Sequence, residues 1–166
     1  MRQSGSAAGT LLSVPVLLVR HAQALSRSGW DGDDRDRELS KKGRRQAAAL
    51  VPILVEFKPR RVLSSPYLRC VETVRPLAES LGLAVEPDVR LAEGAGDGAY
   101  DLLFEIADEN PVLSSHGDVI PELLGELVHR RGIDLGSDPR VEKGSVWVLE
   151  RSESGALKAK YLPPPA

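Results

Sequence analysis

The feature that most constrains the fold is the apolar run Leu17-Leu18-Val19, which stops abruptly at Arg20-His21. A short, unbroken run of branched apolar residues is typical of a parallel strand that is buried on both faces. Open α/β sheets bind their ligands at the carboxyl ends of such strands. The pattern therefore predicts a buried strand that carries an arginine and a histidine to the ligand-binding edge of a sheet.

Two later segments repeat this arrangement. Residues 64–69 place a second arginine, Arg69, after a short strand, and residues 112–116 form another apolar run that ends in a second histidine, His116. A guanidinium group binds the oxygen atoms of a phosphoryl group through paired hydrogen bonds, and a neutral imidazole can attack phosphorus. The two arginines and two histidines together predict a phosphate-binding pocket that contains a nucleophile.

Strand and helix patterns alternate along the chain. The predicted strands are residues 14–19, 61–64, 83–85, 111–115, 145–149 and 156–161, and the predicted helices are residues 40–57 (capped by Ser40), 65–82 (capped by Ser65), 100–107 and 118–131. This order predicts an α/β fold, a three-layer α/β/α sandwich with a mainly parallel, doubly wound sheet that allows one antiparallel edge strand. We expect one domain over residues 14–162, a disordered segment over residues 1–13 and a proline-rich tail over residues 163–166.

Composition limits the partners. The 22 basic and 24 acidic side chains nearly balance, which argues against nucleic acid or an anionic membrane as a partner. The single cysteine, Cys70, excludes a disulfide within the chain and fits a reducing cytoplasm. The three histidines are too dispersed for a metal site, so we expect no metal and no cofactor.

Three competing motifs are weaker. Only four residues separate Cys70 from Arg75, whereas cysteine phosphatases need five, so Cys70 is interpreted as a small buried residue. The loop 31–37 mixes aspartate with arginine and is interpreted as a solvated loop rather than a calcium site. His129 lies at the end of a helix beside two arginines and is interpreted as structural.

Three blocks of the sequence resemble the signature blocks of the histidine phosphatase superfamily, in its short SixA-like branch. They are Leu18-Val19-Arg20-His21-Ala22, Ser65-Pro66-Tyr67-Leu68-Arg69 followed by Glu72-Thr73, and Ser115-His116-Gly117. A closer likeness, over about residues 14–150, is to the C-terminal phosphatase-like domain of mycobacterial MutT-type Nudix proteins. The sequence departs from the pattern in two ways, because Ala22 replaces the glycine of most members and no Nudix domain precedes the phosphatase-like part.

The resemblance implies a role for each matching residue. His21 is the phosphorylated nucleophile, and Arg20, Arg69 and His116 form the phosphate pocket with it. Glu93 matches the position of the proton donor in members that have one, although a glutamate in a glycine-rich loop is also commonly just solvated. Arg27 is either a ligand of an outer phosphate or an exposed charge.

The residues and the resemblance together predict a metal-independent phosphatase. It would hydrolyse a phosphorylated small molecule, a nucleotide or a phosphohistidine protein through a covalent phosphohistidine on His21. Only 22 residues separate Glu93 from His116, which leaves little room for a capping insertion and favours hydrolysis over transfer to a second substrate. The alternative is a regulatory module that binds phosphate or nucleotides and acts with a separate Nudix-type partner.

Overall fold

The computed structural model describes residues 15–95, 98–151 and 154–165. Within these residues the strands are β1 (Val16–Arg20), β2 (Arg61–Ser64), β3 (Val85–Pro87), β4 (Pro111–Ser115), β5 (Val146–Arg151) and β6 (Leu157–Leu162), and the α-helices are α1 (Lys41–Leu54), α2 (Leu68–Leu81), α3 (Gly98–Ile106) and α4 (Val119–Arg131). The predicted segment 1–13 lies outside the described residues. The predicted strand and helix segments all form; β2 and β4 have the predicted bounds, and the ends of the others differ by at most three residues.

The strands form one sheet in the order β3-β2-β4-β1-β5-β6. The first four strands in this order are mutually parallel, whereas β5 runs antiparallel to both β1 and β6. The prediction of a mainly parallel α/β sheet is confirmed, and the antiparallel pairing is confined to one side of it. The reason is that β5 and β6 follow each other directly, without a crossover helix.

Helices cover both faces of the sheet, because β1 alternates its side chains between two cores. Leu17 and Val19 pack in a cluster with residues of α1 and α2. Val16 and Leu18 pack in a second cluster with residues of α3 and α4. Since all four side chains are completely buried, β1 is the central strand that the apolar run predicted.

The N-termini of α1 and α2 differ in whether the predicted serine caps the helix. Ser40 caps α1 as predicted, since its hydroxyl accepts a hydrogen bond of 3.0 Å from the amide of Gly43. The prediction that Ser65 caps α2 is wrong, because the helix begins at Leu68. The hydroxyl of Ser65 instead accepts from the amide of Tyr67 at 3.2 Å and bonds the ring of His116, so it serves the site.

The register of the sheet brings the three signature blocks to one edge. Arg20 at the end of β1 aligns with Ser115 at the end of β4, and Ser114 aligns with Ser64 at the end of β2. The amide of His21 donates to the carbonyl of Ser115 at 3.0 Å, which extends the pairing beyond the strand. No helix in the described part of the chain is long and apolar enough to cross a membrane.

Candidate active site

A cleft of about 640 Å³ opens at this carboxyl edge of the sheet. Its lining includes all the residues that the sequence proposed for the site, namely Arg20, His21, Arg27, Arg69, Glu93 and His116. Five of the lining side chains are basic and two are acidic, so the cleft concentrates positive charge in a chain whose net charge is −2. Among the described residues, no group of three or more His, Cys, Asp or Glu side chains is placed to hold a metal ion.

His21 presents one ring nitrogen as a potential nucleophile. Its Nδ1 lies 2.8 Å from the carbonyl oxygen of Ala22. Because a carbonyl can only accept, Nδ1 carries the proton and Nε2 keeps its lone pair. Burial of His21, which is 7% exposed, together with the charge of Arg69 lowers its pKa to about 3. The imidazole is therefore neutral near pH 7.

Helix α2 fixes the chain that carries this ring. The amide of Ala22 donates to the hydroxyl of Thr73 at 2.9 Å, and that hydroxyl donates to the carbonyl of Arg69 at 2.7 Å. The carboxylate of Glu72 accepts from the amide of Leu39 at 2.8 Å. Glu72 and Thr73 thus hold α2 against the segment after β1, so their role in the site is structural.

His116 lies beside His21 and is held from three sides. Its Nε2 is 2.8 Å from the hydroxyl of Ser65 and 3.5 Å from the sulfur of Cys70, and its ring meets the ring of Tyr67 edge-on at 4.7 Å. The centres of the two imidazoles are 5.6 Å apart. Burial lowers the pKa of His116 to about 4. Burial also raises the pKa of the Cys70 thiol to about 12, which confirms Cys70 as a buried, protonated side chain.

Arg20 is brought into the cleft by two glycines. A Cβ on Gly117 would lie within 2.7–2.9 Å of the guanidinium, so only glycine permits this approach. Gly144, at a φ of +83°, donates its amide to the carbonyls of both Arg20 and His21 at 3.1 Å. This turn places Lys143 on the cleft, where burial and the charge of Arg20 lower its pKa.

Arg69 is almost completely buried and is clamped by acceptors. Its Nη1 donates to the carbonyl of Asp34 at 2.9 Å, and its Nη2 donates to Glu93 at 2.8 Å and to the Asp34 carboxylate at 3.2 Å. The Nε atoms of Arg69 and Arg20 are buried and have no hydrogen-bond partner within the described residues. Arg20 donates from Nη1 to the carbonyl of Val141 at 2.6 Å, so each guanidinium is held through its Nη atoms while its Nε lacks a partner.

Glu93 and Arg27 form the rim of the cleft. The Glu93 side chain is 36% exposed. Its carboxylate lies 2.8 Å from Nη2 of Arg69 and 3.6 Å from Nδ1 of His116. Arg27 is 69% exposed and approaches Asp34 at 3.6 Å and Glu93 at 3.8 Å. Both residues line the cleft and are also partly exposed to solvent. The roles of Glu93 as proton donor and of Arg27 as phosphate ligand stay predictions.

The sequence did not predict that part of the charged loop 31–37 contacts the site. The interpretation of residues 31–37 as solvated is wrong for Arg37, whereas Asp34 is half-exposed and also pairs with Arg69. Arg37 is buried and donates to the Asp34 carboxylate at 2.8 Å and to the carbonyl of Leu25 at 2.7 Å. Charge composition could not show this, because the ion pairs that turn the loop inward depend on Arg69 from a distant helix. The (i, i+3) spacing of Asp34 and Arg37 was the one local signal.

The geometry agrees with a comparison with known families. The model of the histidine phosphatase superfamily (branch 1) matches residues 16–111, more than half of the chain. The chain belongs to the histidine phosphatase superfamily. The finer likeness to MutT-type Nudix proteins stays a prediction.

Individual relatives extend this result. The chain is 38% identical over 156 residues to the 8-oxo-(d)GTP phosphatase of Mycolicibacterium smegmatis, covering 90% of this chain and 48% of that protein. It is 35% identical over 79 residues to the glucosyl-3-phosphoglycerate phosphatase of Mycobacterium tuberculosis, covering 47% of this chain and 35% of that protein. The chain thus spans half or less of these relatives. A solved structure of the protein histidine phosphatase SixA with tungstate superposes with a TM-score of 0.73 at 22% identity, covering 91% of this chain and 97% of that one.

Proposed function

We propose that the protein is a metal-independent phosphatase that works through a covalent phosphohistidine on His21. The observation that carries this proposal is the state of His21. Its Nδ1 is engaged by the Ala22 carbonyl, its ring is neutral, and its Nε2 is left as a nucleophile in a cleft that guanidinium groups line. A neutral imidazole with a fixed tautomer is what an attack on phosphorus requires.

In the first step the lone pair of His21 Nε2 forms a bond to phosphorus as the bond to the leaving-group oxygen breaks. Arg20 and Arg69 hold the non-bridging oxygens and offset their charge, which is the main requirement of phosphoryl transfer. His116 lies close enough to His21 to bind the same oxygens. Glu93, whose carboxyl group lies beside Arg69 and His116, enters this step protonated and gives its proton to the leaving oxygen, which leaves it as a carboxylate for the second step.

In the second step water attacks the phosphohistidine and the phosphorus–nitrogen bond breaks. The proton of the water passes to the Glu93 carboxylate, the electron pair returns to His21 Nε2, and inorganic phosphate leaves. Water reaches the intermediate because the rim is open, as the 69% exposure of Arg27 indicates. The described residues between Glu93 and β4 form only α3 and one 3-10 turn, which supports an open site and hydrolysis over transfer.

The relatives do not agree on a substrate. One is named for a nucleotide and the other for a glucosylated phosphoglycerate, and both compounds carry phosphate. We infer phosphate esters and anhydrides as the substrate class, with a nucleotide, a phosphorylated small molecule or a phosphohistidine protein as members. We also infer action in the cytoplasm, on the ground that the single cysteine is a free, buried thiol.

The test measures p-nitrophenyl phosphate hydrolysis in the presence of a chelator. We expect turnover by the natural protein and a loss of at least about 1,000-fold in kcat for His21→Ala, since the mechanism assigns the phosphoryl group to His21 alone. His129→Ala is the matched control, because His129 is exposed on α4 away from the cleft, and should keep the natural rate. Activity in His21→Ala would contradict the mechanism, and inhibition by the chelator would contradict metal independence. Tight nucleotide binding without turnover would favour the regulatory alternative.

A further inference from the structure

A second cleft, of about 360 Å³, lies on the other side of the rim. Its lining consists of Arg27, Trp30, Gly32, Asp34 and Glu93, and two of these residues, Arg27 and Glu93, also line the catalytic cleft. Under the proposed function Glu93 protonates the leaving-group oxygen. The remainder of the leaving group therefore begins beside Glu93 and has this second cleft within reach.

Trp30 is held in this cleft with its polar edge already satisfied. Its backbone amide donates to the carbonyl of Arg27 at 3.3 Å, which closes the 3-10 turn that carries both residues. Its indole Nε1 donates to the carbonyl of Asp33 at 2.8 Å. An indole fixed in this way loses little conformational entropy on binding, and what it offers a ligand is the face of its ring.

Gly32 keeps that ring face open. A Cβ at position 32 would lie 3.3 Å from Nε1, 3.6 Å from Cε2 and 3.7 Å from Cζ2 of Trp30. Contacts with these three atoms place such a methyl group above the plane of the indole, just outside its Nε1 edge, where it would hinder a flat ligand from lying on that face. Gly32 does not have a positive φ, so the backbone does not require glycine there. The absence of a side chain matters instead for access to the indole.

We propose that Trp30 and Gly32 form a stacking platform for a planar ring in the leaving group, so that the enzyme prefers nucleoside phosphates over phosphate esters without a base. This inference rests on the proposed function for the position of the phosphate. Aromatic side chains stack on nucleobases of every kind, because each base has a π face. The platform therefore selects for the presence of a base and leaves its identity open.

The test compares guanosine 5′-monophosphate with ribose 5-phosphate, which carries the same phosphate and sugar but no base. We expect kcat/KM of the natural protein to be about tenfold higher for the nucleotide, the size of one base–aromatic stack. Trp30→Leu removes the ring and should bring the ratio of the two kcat/KM values to about one, whereas Gly32→Ala puts a methyl group at the Nε1 edge of the ring and should lower the ratio. Gly29→Ala is the matched control in the same loop, since a Cβ there meets nothing within 4 Å, and should keep the ratio.

A ratio near one in the natural protein, or a ratio that survives both substitutions, would overturn the platform. A second readout separates it from the proposed function. Guanosine 5′-monophosphate should quench the fluorescence of Trp30 in the natural protein, ribose 5-phosphate should not, and Trp30→Leu should abolish the quenching. Quenching without hydrolysis would support the platform and refute the phosphatase. Hydrolysis of both compounds without quenching would do the reverse.

Discussion

Acidification tests whether His21 is held in its neutral form. An exposed histidine takes up a proton near pH 6.5, whereas burial lowers the pKa of His21 to about 3. Between these two pKa values, His21 is protonated in the unfolded chain but not in the folded chain. The contribution of His21 to stability is therefore complete above about pH 6.5 and is lost as the pH falls toward about 3.

The size of the effect follows from the difference in bound protons. Each pH unit over which the unfolded state holds one more proton costs about 1.4 kcal/mol of unfolding free energy. At pH 4.5 the gap below the unfolded pKa is about two units, so His21 alone should cost about 2 to 3 kcal/mol. His116, whose pKa is lowered to about 4, should add a loss of similar size over much of the same range.

Urea unfolding at pH 7.5, 6.5, 5.5 and 4.5, followed by circular dichroism, measures this loss. His21→Asn keeps a polar side chain without a titrating ring, so its free energy of unfolding should fall by about 2 to 3 kcal/mol less than that of the natural protein. Other titrating groups contribute equally to both proteins and cancel in the difference. Parallel pH profiles would show that the folded state protonates His21 normally, which would refute the burial argument and the neutral nucleophile with it.

Three further substitutions probe the site and its support, and Gly125→Ala, at an open position of α4, is the control for the two glycines. Gly117→Ala places a methyl within 2.7–2.9 Å of the Arg20 guanidinium and should lower kcat/KM about 100-fold while circular dichroism stays unchanged; an active variant would show that Arg20 can move without cost. Gly43→Ala places a methyl against the backbone carbonyl oxygen of Gln23 and should cost about 3 kcal/mol in urea unfolding, whereas Gly125→Ala should gain about 0.5 to 1 kcal/mol. Glu93→Gln should slow formation of the phosphohistidine about 100-fold with an alkyl phosphate but only about twofold with p-nitrophenyl phosphate, measured before the steady state, since nitrophenolate leaves without a proton; equal losses in this first step would remove Glu93 from the role of acid.

Much of the fold could be predicted because the decisive patterns are local. The apolar runs before His21 and His116 are short, unbroken and buried on both faces, and β4 was located to the residue. Ser40 precedes a helical pattern and caps it. The start of α2 could not be placed in this way, because the hydroxyl of Ser65 has a partner on β4 that no local pattern reveals.

In the site, too, residues that depend on local patterns could be predicted and residues that depend on distant contacts could not. Residues at strand ends were found because the topology brings all such ends to one edge of the sheet. Asp34 and Arg37 were missed because their charges become structural only when Arg69 arrives from α2. Lys143 was missed because its place depends on the turn at Gly144, which bonds the backbone of Arg20 and His21.

The most direct test of the central claim is mass spectrometry of the protein, quenched within seconds of mixing with p-nitrophenyl phosphate in the presence of a chelator. The mechanism predicts an acid-labile phosphoryl group on His21, formed together with nitrophenol and absent from His21→Ala. Release of nitrophenol with no phosphoryl group on His21, or with the group on another residue, would contradict it.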